Sequence, residues 1–244
     1  MSLREKQVLV VGGGSGIGFA VAKAAMAEGA KVTIASTGRE RLEAAAKRLG
    51  DSAHCVLDIT DEVAVSKFFA NEKIWDHIVT TAGDWGSARR GALAQIVIDE
   101  AKAFFEVRVW GTAILAKHGA PRIAAGGSLT LTSGMSAFQP QKGSVVATAM
   151  AGCVEHLMYG LAAECAPRRV NAVFPGGVAT EVFQGLPEEM RKTEEARFEH
   201  QLIPRISDEM RLHDRAGNQG RRRRTTGLTL PPAGSNRSPA NTLA

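Results

Sequence analysis

The stretch VLVVGGGSGIGF at residues 8–19 constrains this chain more than any other. An apolar run from Gln7 to Val11 breaks into glycines, and from Gly16 onward Ile17, Ala20, Val21 and Ala24 recur at helical spacing. A short buried strand therefore turns sharply into a helix. Gly12, Gly16 and Gly18 give that turn what larger residues deny it: left-handed backbone, close approach, and unpaired N–H groups at a helix N-terminus. An anion fits there, and between a strand and a helix the pyrophosphate of a dinucleotide is the anion that suits it. Ile17, held between the last two glycines, belongs to the same cradle.

The chain continues as alternating strands and helices. Lys31 to Ala35 (KVTIA) reads as a second buried strand, and Arg39 to Leu49 as a helix with Leu42, Ala45, Ala46 and Leu49 on one side. Cys55 to Leu57 is a third strand ending at Asp58, and Asp61 to Phe69 a helix capped by Thr60 or Asp61. His77 to Thr81 is the fourth strand, running into Ala82 and Gly83. After a glycine-rich basic loop from Asp84 to Ala94, Asp99 to His118 reads as one long helix. Ser128 to Thr132 is the fifth strand, Val145 to Cys165 a second long helix, and Val170 to Phe174 the sixth strand, broken by Pro175-Gly176. This order predicts an α/β fold: a Rossmann-type doubly wound parallel sheet in a three-layer αβα arrangement, with its ligand crevice at the carboxyl ends of the strands.

The 244 residues, 44% of them hydrophobic, suffice for one such domain. A net charge of +5 invites a nucleic-acid reading, but Ile206 to Ala244 holds seven arginines, no lysine and three acids. That tail carries +4 and leaves +1 for everything before it. The expected organisation is a domain over 1–205 and a basic, mostly mobile tail over 206–244. A shifted reading frame would produce the same break in composition. Cys55, Cys153 and Cys165 have neither metal-ligand spacing nor an even number, so they read as reduced thiols, and no metal site is expected. The charged N-terminus is no secretory signal, and no apolar run approaches the roughly 20 residues that span a bilayer. A cytoplasmic protein away from membranes is the expectation.

The glycine spacing, Ser133 in LTLTSG and the segment NAVFPG from Asn171 to Gly176, in this order, resemble the short-chain dehydrogenase/reductase family over Gln7 to about Arg205. The resemblance implies an oxidoreductase that moves a hydride between a nicotinamide dinucleotide and a carbonyl or alcohol. It also implies cofactor roles for particular residues: Asp58 beside the adenine, Ala82 and Gly83 in the turn where the family has Asn-Asn-Ala-Gly, and Pro175, Gly176, Val178 and Thr180 beside the nicotinamide carboxamide. Thr80 and Thr81 replace the two asparagines, so the side-chain tie between neighbouring strands is expected to be lost. Ser36 stands where a carboxylate would hydrogen-bond the ribose of NAD, and Arg39 follows within reach of a 2′-phosphate. NADP(H) is therefore expected, with NAD(H) the alternative. A homodimer through Asp99 to His118 and Val145 to Cys165 is implied as well. Thr226 to Leu230 is a faint echo of the family's seventh strand, with Pro231 and Pro232 against it.

The proton machinery departs from the family. There, a serine polarises the carbonyl, a tyrosine transfers the proton, and a lysine four residues on tunes a phenol whose ordinary pKa is about 10. Ser133 matches the serine, but Val146 and Met150 stand at the tyrosine and lysine positions. The chain's one tyrosine, Tyr159, lies thirteen residues further along the helix, about 20 Å away. Arg108, in EVRVWGT, takes the place of a family asparagine and either enters the crevice as a fixed cation or points outward toward Glu106 or Glu155. Lys142 and Ser144 are further surrogates, and Phe183 to Ile203 reads as a flap for a partly apolar small molecule. Three readings follow. One is an NADP-linked oxidoreductase with Ser133 and Arg108 as its catalytic groups and water or substrate as proton source. The others are a catalytically silent dinucleotide-binding sensor or partner protein, and a nucleic-acid binder acting through Arg221 to Arg224, which a short arginine run without aromatics argues against.

Overall fold

A computed structural model describes residues 2–50, 52–83, 91–178, 180 and 188. Most of the basic loop (84–90), the flap over 183–203 apart from Glu188, and the whole tail with its arginine run and the seventh-strand echo lie outside the described residues.

Among the described residues, six strands form one parallel sheet: β1 Gln7–Val11, β2 Lys31–Ser36, β3 Ala53–Val56, β4 Trp75–Thr80, β5 Ile123–Thr132 and β6 Arg169–Val173, in the order β3-β2-β1-β4-β5-β6. This is the doubly wound order, and it reverses between β1 and β4. The helices are α1 Gly16–Ala27, α2 Arg39–Arg48, α3 Glu62–Phe69, α4 Ile98–Phe105, α5 Thr112–Gly119 and α6 Val145–Glu164. Asp61, not Thr60, caps α3, accepting a hydrogen bond from the Ala64 N–H at 3.0 Å.

The period of two in β1 explains the layers. Leu9 and Val11 face a core with Val65 and Phe69 of α3, Phe104 of α4, Leu115 of α5 and Met150 of α6. Val8 and Val10 face the opposite core, with Ala22 and Ala25 of α1 and Leu42 and Ala45 of α2. Both faces of the strand are covered, as its unbroken apolar sequence requires.

Two expectations are corrected. The helix expected from Asp99 to His118 is interrupted: between α4 and α5 the segment Glu106–Gly111 is a π-helix, a widened turn that recurs at functional sites. The α6 helix, 20 residues with a mean hydropathy of 1.3 over its most apolar window, is long and apolar enough to cross a membrane by length and composition, although no such run was expected. Charges at Glu155 and Glu164 break the apolar run in the sequence, yet the helix is continuous and lays Val146, Met150, Ala151 and Val154 into the core.

The β5 strand begins at Ile123, five residues before the expected Ser128, and runs through Ala-Ala-Gly-Gly. Two glycines in a row read as a loop, but a Cβ on Gly127 would collide with the backbone carbonyl of Asp76, so glycine here permits strand approach. Just beyond, the His77 Nδ1 lies 2.9 Å from the Ser128 Oγ across β4 and β5. Burial pushes the His77 imidazole below its ordinary 6.5, against the opposing pull of Asp76. The unfolded chain therefore takes up this proton first, so the stability this group contributes is present above pH 6.5 and is lost as pH falls toward the folded value. Urea midpoints should drop as pH is lowered through that window, and His77→Gln should flatten the drop.

Candidate active site

The parallel register sets Ala35, Val11, Thr80, Leu131 and Ala172 in one line across the sheet. The chain leaves each of these strands at about the same level. A crevice of about 810 Å³ opens there, lined by Ser36, Gly12, Thr81, Ser133 and Pro175 among others.

The glycines form its floor. Gly12 sits at φ +85° and Gly16 at φ +54°, backbone that side chains rarely adopt. A Cβ on Gly12 would come 2.6 Å from the Thr81 Oγ1. One on Gly18 would meet the Gly12 carbonyl, and Thr81 at 2.5 Å. Thr180 closes over the turn, 3.5 Å from where a Gly16 Cβ would lie. Ser15 is the N-cap of α1 and its side chain makes no capping hydrogen bond, so the first N–H groups of the helix face the crevice without an internal cap. This is a cradle for a phosphate pair, and Ile17 and Gly18 line it.

The expected loss of the strand tie is half right. The Thr80 hydroxyl is buried without a hydrogen-bond partner. Thr81, however, restores a tie of its own: its Oγ1 lies 3.2 Å from the Val11 carbonyl and 3.3 Å from that of Gly12, and one proton serves the two. A hydroxyl short enough to fit against Gly18 does the work of a longer amide.

At one end Ser36, Thr37, Leu57 and Asp58 line the crevice, and the cation beside them is Arg41. The expectation for Arg39 is corrected. Arg39 is the first residue of α2, points to solvent and pairs with Glu43 at 3.8 Å, one helical turn on. Burial of Leu42 fixes the rotation of the helix and leaves Arg41 on the crevice side. Glu43 at i+4 from Arg39 was the signal in the sequence. Asp58 is anchored by its Oδ1, which accepts from the Thr60 N–H at 2.9 Å and from the Thr60 hydroxyl at 2.7 Å.

At the other end the crevice meets α6 and the π segment. Arg108 points inward: it is 5% exposed, its guanidinium lies against Gly83 so closely that a Cβ there would overlap it, and its Cζ stands 5.9 Å from the centre of the Phe104 ring. Gly83 lies beside it, and Ala82, Pro175, Gly176 and Val178 also line the crevice. The Ser133 hydroxyl is buried and donates to the Ala151 carbonyl at 3.2 Å. On α6 it is Ala147 and Met150 that line the crevice, whereas Val146 packs into the core. Ser144 lines it too, locked by a 2.6 Å hydrogen bond from its hydroxyl to the Gln141 carbonyl; Lys142 is exposed and is not among the lining residues. Gln139, Met135 and Ser136, none of them foreseen, complete this end.

A family model described as enoyl-(acyl carrier protein) reductase matches residues 12–209. The short-chain dehydrogenase/reductase ucsE of Acremonium sp is 37% identical over 202 residues, 74% of this chain and 75% of that protein. The chain belongs to the short-chain dehydrogenase/reductase family. Among solved structures of this family, the MalC reductase/Diels-Alderase of Malbranchea aurantiaca matches with a TM-score of 0.73 at 32% identity, over 82% of this chain and 84% of that one. A small-chain dehydrogenase solved in complex with NADPH matches with 0.68 at 34%, over 81% and 82%. The family's oxidoreductase architecture thus extends over the crevice described above.

The collision at Gly18 yields a prediction. Gly18→Ala should cost about 1–3 kcal/mol in chemical denaturation, the usual penalty for overpacking. Gly14→Ala, whose Cβ would meet no atom closer than 3.5 Å, should be close to neutral.

Proposed function

We propose that this short-chain dehydrogenase/reductase binds NADP(H) in the crevice and uses it on a small, partly apolar carbonyl or alcohol. The observation that carries the reading is the pairing, in one crevice, of the uncapped glycine turn with Arg41. Ser36 supplies no carboxylate against a 2′-phosphate, and Arg41 supplies the charge for one. The NADPH complex of a 34% identical relative supports it. When bound, the dinucleotide gives or takes a hydride.

What remains falls to the chain. The N-terminus of α1 holds the pyrophosphate, Asp58 and Arg41 flank the adenosine, and Pro175, Gly176, Val178 and Thr180 border the nicotinamide end. Ser133, whose hydroxyl donates to Ala151, would accept a hydrogen bond from an alcohol, and Arg108 would stand at the same end as a fixed charge. Proton exchange is left to water or to the substrate itself.

NADPH should bind more tightly than NADH by calorimetric titration. Arg41→Ala should narrow the gap by roughly tenfold, the loss of one charged hydrogen bond, while Arg39→Ala leaves it unchanged. Equal affinities in the parent would remove the argument.

We also infer a homodimer through α4, the π segment and α6. Ile98 and Trp110 are 62% and 59% exposed, and Val145 and Tyr159 are exposed on α6. Apolar side chains left in water on neighbouring helices mark a surface for a partner. The double change Ile98→Glu, Trp110→Glu should convert the dimer to monomer in sedimentation; a parent that sediments as monomer at micromolar concentration refutes the dimer.

A further inference from the structure

The segment that brings Phe104, Val107 and Arg108 to the crevice also has an outer face. There α4 and the π segment form an open groove of about 470 Å³, whose described lining is Ile98, Ala101, Lys102, Phe105, Glu106 and Trp110. Four of these, Ile98, Lys102, Glu106 and Trp110, are exposed and stand at every fourth position of the chain. In an α-helix such a row drifts round the axis by about 40° per step. The π segment begins at Glu106, and its wider turn takes the drift back, so that Trp110 shares one groove with Ile98.

The row runs apolar, positive, negative, apolar, and its own reverse complements it. Laid antiparallel on a second copy, it sets Ile98 against the partner's Trp110 and Lys102 against the partner's Glu106, and symmetry makes each pair occur twice. A twofold interface needs this property, because one patch must serve as both sides of the contact. An unrelated partner would not require it. Lys102 is already bonded to Asp99 at 2.9 Å, with both side chains mostly in solvent. An exposed pair of that kind holds its members weakly, and an ammonium has three N–H donors, so Lys102 can take a second carboxylate without giving up the first.

We propose that this row is a contact between two copies of the chain, with Lys102 paired to the partner's Glu106, and that the contact holds the π segment in the register that lines the crevice. The pairing rests on the homodimer inferred above, and its effect on the crevice rests on the NADP(H) reading. The contact grips the segment at Glu106, its first residue, and at Trp110, the last before the closing Gly111. Between those two points Val107 and Arg108 line the crevice. Relaxation of the segment to an α-helical register would turn the side chains within it by up to about 100°, the angle of one residue. Gripping both ends opposes that rotation, so the outer groove sets the inner wall.

Two single charge reversals, Lys102→Glu and Glu106→Lys, test the contact. Each sets like charges opposite one another twice in a homodimer, and each should raise the dimer dissociation constant in sedimentation by at least about tenfold. Mixed in equal amounts, the two variants should form a dimer at least as tight as the parent's, because every pair across the interface is then opposite in sign. Neither a folding defect nor a change within one helix produces that recovery. NADPH should bind to either variant alone about tenfold more weakly than to the parent, within the usual range of coupling between sites, and the mixture should regain the parent's affinity. Single variants that dimerise as tightly as the parent, or a mixture that stays monomeric, overturn the pairing and leave a dimer through α6 standing. A parent that sediments as monomer at micromolar concentration overturns the dimer and the contact together. Monomeric variants that bind NADPH as the parent does overturn the hold on the π segment. If dissociation and recovery occur as described in a protein that binds no NADPH, the cofactor reading falls and the contact stands.

Discussion

Everything in the site depends on how closely β1 and β4 can approach where they end. The two strands run parallel with Val11 opposite Thr80, and the residues that follow, Gly12 and Thr81, are in contact. A side chain at Gly12 or Gly18 would occupy the space of the Thr81 hydroxyl. The contact keeps the glycine turn flat against the sheet, which in turn sets the N-terminus of α1 at the lip of the crevice. Move the strands apart by one methyl group and the cradle loses its floor.

The apolar layers hold that geometry from behind. Leu9 and Val11 are clamped from one side and Val8 and Val10 from the other, so β1 can shift toward neither face. A strand fixed on both faces suits the end that must be positioned most closely. Several candidate groups, by contrast, come from elements that depart from regular structure: a glycine turn, a π segment, and the turn after β5, whereas Arg41 comes from the regular helix α2.

The same division explains what the sequence made legible. Periods of two and 3.6 mark elements that bury one face, and all six strands and the main helices follow from them; the cradle residues Gly12, Gly16, Ile17 and Gly18 were legible because glycine spacing is itself the mechanism. Arg39 and Arg41 were not separable by type, since both are cations near a strand end. Their fates are decided by the rotation of α2 about Leu42 and by the bond to Glu43. The inward turn of Arg108 was also undetermined, because a widened helical turn leaves no compositional mark: EVRVWG has no glycine or proline before its last residue. The early start of β5 was hidden for the opposite reason, as glycines that usually mark a loop were used for close packing.

The Ser133 proton has a consequence beyond the reaction step. With that proton committed to Ala151, the serine faces the crevice as an acceptor, while Arg108 faces it as a donor. Among the described residues, this end of the crevice thus sets a buried hydroxyl acceptor and a buried guanidinium along one lining. On the proposed reading, a ligand that both donates and accepts would be held in one orientation, and its reverse placement would set lone pair against lone pair. Handedness at the reacting carbon would then be fixed by two hydrogen bonds of opposite sense.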